Sequence, residues 1–155
     1  MIDLNLTGPF MLTREVGPIM LRQGRGSIVN VSSIVSSGLG GYGAYATSKA
    51  GLESLTRTTA AELGRHGVRV NGVALGGIRT ETPMRNLARA GVDLSQWGAE
   101  TNLGRAGLPE EVANTIYFLA CDASAYITGD MIWVAGGTAV STLPADYFDR
   151  ALSAT

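Results

Sequence analysis

The sequence predicts an α/β protein built on a parallel sheet, and three observations carry that expectation. Three short runs, "RGSIVNVSS", "VRVNGVAL" and "DMIWVAGG", are apolar, rich in β-branched residues and edged by glycine or serine; that pattern suits strands buried on both faces. Segments with helical spacing of apolar residues separate them. The resulting order is helix, strand, helix, strand, helix, helix, strand, which implies right-handed crossovers and parallel pairing.

The first helix is expected from Asp3 to about Gln23, where Leu4, Phe10, Met11, Val16, Ile19 and Met20 recur at helical spacing and Pro18 marks a bend. The first strand follows, then a glycine and serine loop to Tyr42. A second helix is expected from Ala44 to Gly64, with Arg65 and His66 at the negative end of its dipole and Gly67 beyond it. After "VRVNGVAL", the loop "GGIRTETPM" leads into a short helix around Met84 to Arg89. Residues 90–108 hold turn residues and little periodicity, and so long a loop in a compact domain reads as a substrate lid. Pro109, with Glu110 and Glu111 in the first turn, opens a helix through Ala120. The third strand ends in glycines, and residues 138–155 form a tail with a short helix near 145–152. Residues 1–155 thus read as one partial domain. Three strands are few for an open α/β sheet, and the first should expose an unpaired edge.

Composition narrows the function classes. Charged residues make up 16% and hydrophobic ones 45%; this is poor in charge for a soluble domain, which assigns some apolar surface to another subunit or to a further part of the protein. A net charge of −1 with mixed signs gives no footprint for nucleic acid or an anionic membrane. No apolar run reaches the roughly 20 residues of a membrane span. The single Cys121 rules out an internal disulfide, so a reducing cytoplasm is expected, and lone His66 and Cys121 leave a metal site without its usual donors.

Gly38, Gly40 and Gly43 spell G-x-G-x-x-G before a helix, with Glu62 about twenty residues on. In a dinucleotide fingerprint, however, the acidic residue ends the second strand and the turn follows the first strand tightly. Here Glu62 falls near the end of a helix, and the glycines begin well after Ser33. They read instead as a substrate-side loop.

The stronger signal is Tyr45 with Lys49. At i and i+4 on a helix the two share one face, and an ammonium within about 4–6 Å of a phenol favours its ionised form. That suits tyrosine for general acid/base work near neutral pH. Tyr42 lies seven residues before Lys49, too far to share the charge. Arginine occurs eleven times and lysine once, which marks this position as one that needs a compact ammonium rather than a planar fork.

"NVSS", then "YATSK" with "AGLESLTR", then "RVNGVALGGIRT" and "ITGDMIWVAGG" together resemble the C-terminal two-thirds of a short-chain dehydrogenase/reductase of the 3-oxoacyl-carrier-protein-reductase-like type. The resemblance implies the C-terminal part of a Rossmann-like, doubly wound parallel sheet that lacks the N-terminal nucleotide-binding strands. It implies an NAD(P)-dependent oxidoreductase acting on a small carbonyl or secondary alcohol, with Tyr45 as acid/base and Ser33 bonded to the substrate carbonyl. Lys49 would bind the nicotinamide ribose and lower the tyrosine pKa, and Asn5 of "DLNL" would hold a water of the proton relay. In "GGIRT", opened by Gly76, the backbone at Ile78 and the hydroxyl of Thr80 would meet the cofactor, NAD or NADP, of which the full site is not present in these residues. A homo-oligomer through the first helix and the Tyr45 helix is also implied, with Ala50, Gly51 and Ser54 permitting close approach. Two departures from the family pattern stand out: Leu75 where proline is usual, which puts the stiffness of the following loop in doubt, and Ala135 where aspartate is common. Met1 reads as an internal methionine of a longer sequence. The competing reading is a truncated, inactive module that only pairs with intact subunits.

Overall fold

The computed structural model describes residues 1–138; the helix expected near 145–152 lies outside them. A π-helical turn, Asp3–Thr7, runs into α1, Gly8–Gln23, and the chain continues through β1 (Gly26–Ser33), a 3-10 turn (Ile34–Ser37) and α2 (Gly43–Leu63). A second 3-10 turn, Gly64–His66, precedes β2 (Val68–Leu75), followed by α3 (Glu81–Arg89), α4 (Pro109–Ala120), a 3-10 turn at Asp122–Ser124 and β3 (Met131–Val134). The expected order of helices and strands is observed. Pro18 sits inside α1 without ending it.

The sheet is parallel in the order β1-β2-β3. β1 pairs with β2 along its whole length, from Gly26 opposite Val68 to Ser33 opposite Leu75, while β3 pairs only from Met131 opposite Gly72 to Val134 opposite Leu75. Among the described residues β1 has no partner on its other side, so the expected open edge is present. Helices cover both faces, as the alternation of side chains along a strand requires. Asn30 donates to Thr56 and Ser32 to Glu53, both on α2, whereas Ser27 and Arg69 donate to the Leu119 carbonyl at the end of α4.

The core beneath α2 joins Ala60, Val68 and Val70, with Met20, Ile28 and Leu63 packed against it. Val68, Val70, Val73 and Leu119 are fully buried, each contributing about 1.5–3 kcal/mol of hydrophobic stabilisation. Asn71 is buried too, but its amide donates to the Ile127 carbonyl and its oxygen accepts from the Asp130 N–H, which fastens the approach to β3. Between β2 and the α1–β1 corner the chains nearly touch: a Cβ on Gly67, whose φ is +77°, would overlap the Gly24 carbonyl.

Candidate active site

In-register pairing brings β1 and β2 to an end at the same level, Ser33 beside Leu75. Beyond those carboxyl ends, where open α/β sheets bind ligands, lies an open cavity of about 390 Å³ lined by Ser33, Tyr45, Lys49, Gly76, Ile78 and Thr80. The structure therefore brings together six of the seven residues singled out in the sequence.

Ser33 is extended and caps the 3-10 turn: its hydroxyl accepts from the Val35 N–H at 3.5 Å and donates to the Leu75 carbonyl at 3.4 Å. Both contacts are long, so the hydroxyl can exchange them for a ligand. Tyr45 stands in the first turn of α2, and one turn on the Lys49 ammonium lies 5.7 Å from its ring centroid. The Lys49 ammonium donates to the Val31 carbonyl at 2.8 Å, and burial lowers its pKa. Tyr42 caps α2 from outside, is half exposed and does not line the cavity.

Gly76 lets β2 leave the sheet beside β3, since a Cβ there would stand 2.9 Å from the Ala135 backbone. Ile78 forms a parallel bridge with Gly107, with Arg79 N–H donating to the Gly107 carbonyl and Gly107 N–H to the Gly77 carbonyl. The loop after Leu75 is thus pinned despite the missing proline. Thr80 occupies the N-cap of α3 with an extended backbone, and its hydroxyl makes no capping bond.

Asn5 is not brought to the cavity. Its amide donates to the Ser48 hydroxyl at 3.2 Å and to the Met1 sulfur, and Ser48 in turn donates to the Tyr45 carbonyl. It lies in the π-helical turn, a distortion frequent at functional sites. Within residues 90–108 Trp97 reaches the cavity, its ring packed against Gly77. Pro83 and Val112 also line it and carried no signal in the sequence beyond being apolar. Gly51 requires a correction: the room it leaves is taken by Leu6 of the same chain, whose side chain a Cβ would meet at 2.7 Å, so it serves an internal contact.

The model of the family described as "Enoyl-(Acyl carrier protein) reductase" matches residues 1–139. The chain is 46% identical over 145 residues to the 3-oxoacyl-[acyl-carrier-protein] reductase FabG of Thermotoga maritima, covering 90% of this chain and 56% of that protein. It is similar to a solved short chain dehydrogenase/reductase family protein at 39% identity and TM-score 0.82, covering 90% of this chain and 57% of that one. It is also similar to a 4-hydroxyisoleucine dehydrogenase mutant complexed with NADH and succinate, at 32% identity and TM-score 0.83, covering 92% and 59%. The chain spans about half the length of the curated relatives it matches.

Proposed function

The chain belongs to the short-chain dehydrogenase/reductase family, and on that premise we propose that it carries the catalytic part of an NAD(P)-dependent oxidoreductase that interconverts a small carbonyl and a secondary alcohol. The observation that supports this most is the convergence of Ser33, Tyr45 and Lys49 with Gly76, Ile78 and Thr80 around one cavity.

The residues present fit the nicotinamide end of such a cofactor. Lys49 offers an ammonium for ribose hydroxyls, Thr80 offers a hydroxyl outside any cap, and the glycines at 76 and 77 keep side chains out of the way. The bound cofactor would supply a hydride. As negative charge grows on the substrate oxygen, the Ser33 hydroxyl donates a hydrogen bond to it and the Tyr45 phenol transfers a proton. Lys49 holds its ammonium beside the ring of the residue that gives up that proton, 5.7 Å from the centroid. Asn5 reaches this machinery only through Ser48 and the Tyr45 carbonyl, and its part in a proton relay rests on that chain of bonds.

Substrate class follows the relatives: a 3-oxoacyl thioester is the first compound to assay. Homo-oligomerisation through α1 and α2 belongs to the same proposal. Its support is a groove of about 310 Å³ between the two helices, lined by Phe10, Leu21, Leu55 and Leu63, of which Phe10 and Leu21 are exposed. Among the described residues no helix is long and apolar enough to cross a membrane; a cytoplasmic location belongs to the proposal. The test joins this chain to the N-terminal half of the Thermotoga maritima relative and measures reduction of a 3-oxoacyl thioester by NADPH and NADH. Turnover that vanishes with Tyr45→Phe supports the reading; a folded, cofactor-binding protein indifferent to Tyr45→Phe overturns it.

A further inference from the structure

The two hydroxyls that would share the substrate oxygen stand on different elements, Ser33 at the end of β1 and Tyr45 on α2. Their separation depends on whatever joins those elements near the cavity. One carboxylate spans that joint. Glu53, one turn beyond Lys49 on α2, has a side chain only 14% exposed, and its Oε1 accepts from the Ser32 hydroxyl at 3.1 Å and from the Ser36 hydroxyl. Ser32 directly precedes Ser33, and Ser36 follows it by three in the 3-10 turn that Ser33 caps. The Lys49 carbonyl, 3.3 Å from the hydroxyl of buried Ser32, is a second and more distant acceptor for the same proton, and Arg57 approaches the other Glu53 oxygen at 3.9 Å.

We propose that Glu53 is a positioning residue: its carboxylate grips both flanks of Ser33 and so sets where that hydroxyl stands relative to Tyr45 and Lys49. The anchor is a claim about this chain's geometry; what it serves rests on the oxidoreductase reading above. A hydrogen bond to a charged acceptor in a nearly buried place is worth more than one at the surface. A side chain of the same shape that still accepts should preserve the anchor, and one that cannot accept should release it. Glu53→Gln keeps an acceptor oxygen at the same reach, and Glu53→Ala removes it.

The test is amide hydrogen exchange on the purified chain. In Glu53→Ala, exchange of the Val35 and Gly38 N–H groups, which close the Ser33 turn, is expected to accelerate about tenfold or more. Core amides of β2 should keep their rates, and Glu53→Gln should restore most of the turn's protection. Ser36→Ala, which removes one tie only, should give an intermediate effect and guards against a Glu53→Ala chain that does not fold. Unchanged exchange at Val35 and Gly38 in both Ala variants, or equal acceleration across β2, would overturn the anchor. In the joined protein assayed above, Glu53→Ala should lower kcat about tenfold with little change in the KM for cofactor, again rescued by Glu53→Gln. Loss of turn protection with kcat unaltered would refute the positioning role, while local exchange as expected in an inactive joined protein would count against the oxidoreductase reading and leave the anchor standing.

Discussion

Tyr45 and Lys49 are one helical turn apart, and the chemistry proposed for them is testable at single side chains. In the joined protein Tyr45→Phe is expected to lower turnover by at least about a hundredfold with little loss of stability, because only the transferable proton is removed. Tyr42→Phe should be mild, since Tyr42 lies outside the cavity; comparable losses for the two in steady-state kinetics would contradict the assignment. Lys49→Arg should fail to restore the rate. The ammonium reaches the Val31 carbonyl at 2.8 Å while lying beside the Tyr45 ring, and a planar fork cannot occupy that position in the same geometry. A Lys49→Arg enzyme near the normal rate, measured in the same assay, would defeat the argument from compactness. The pair was legible in the sequence because i, i+4 spacing and the chain's single lysine both point to it. Glu53 was not legible, because its serine partners lie 17 and 21 residues away and meet it only when β1 packs under α2.

At the level of elements, the segment expected as a lid is fastened at its far end. Arg105 donates two bonds to the Glu111 carboxylate in the first turn of α4, at 2.9 and 2.6 Å, and the Leu108 N–H donates a third at 2.7 Å. The Arg105 hydrogen bonds first, and then the Leu108 N–H, hold the Glu111 pKa down to about 2 from 4.5. A carboxyl depressed on folding stabilises the tie above its unfolded pKa and loses that contribution as pH falls through the folded one. The tie should be fully present above about pH 4.5 and loosen toward about pH 2. Both side chains are partly exposed, at 47% and 40%, so the effect is local rather than global. Trp97 fluorescence in a Trp133→Phe background should report a transition in that window, absent in Glu111→Gln. Gly98→Ala should disrupt the same segment: φ is +92° and a Cβ would overlap the Arg105–Ala106 backbone. A loss of about 1–3 kcal/mol, read as a lowered Tm with faster exchange over residues 97–107, is the expected outcome. Turn residues and Trp97 announced this loop, but its pinning depends on the Ile78–Gly107 bridge and the bond from the Leu103 N–H to the Gly136 carbonyl, long-range backbone contacts that leave no mark in composition.

At the scale of the molecule, the decisive property is an α/β sheet that is open at β1 among the described residues, with the cavity proposed to take one end of a dinucleotide. These 155 residues expressed alone are expected to show no steady turnover and to bind NADH or NADPH too weakly for calorimetric titration to saturate. No glycine-rich strand-turn-helix to hold the pyrophosphate is legible among them; micromolar binding with turnover would contradict this. An unpaired strand edge and an apolar α1 face should also make the isolated chain self-associate, and sedimentation should show Phe10→Lys shifting it toward monomer. The sequence by itself determined the fold class, the element order, the open edge and the Tyr45–Lys49 pair, because periodicity, turn chemistry and helical spacing are local properties of a chain. It also marked Ser33, Gly76, Ile78 and Thr80 by resemblance. Only the tertiary structure decided that these residues face one cavity while Asn5 does not, that Gly51 receives Leu6, and that Glu53 bridges the flanks of Ser33. Each of these depends on the register of β1 with β2 and the packing of α2 across them, which arise from contacts between residues far apart in the chain and so cannot be read from neighbours in sequence.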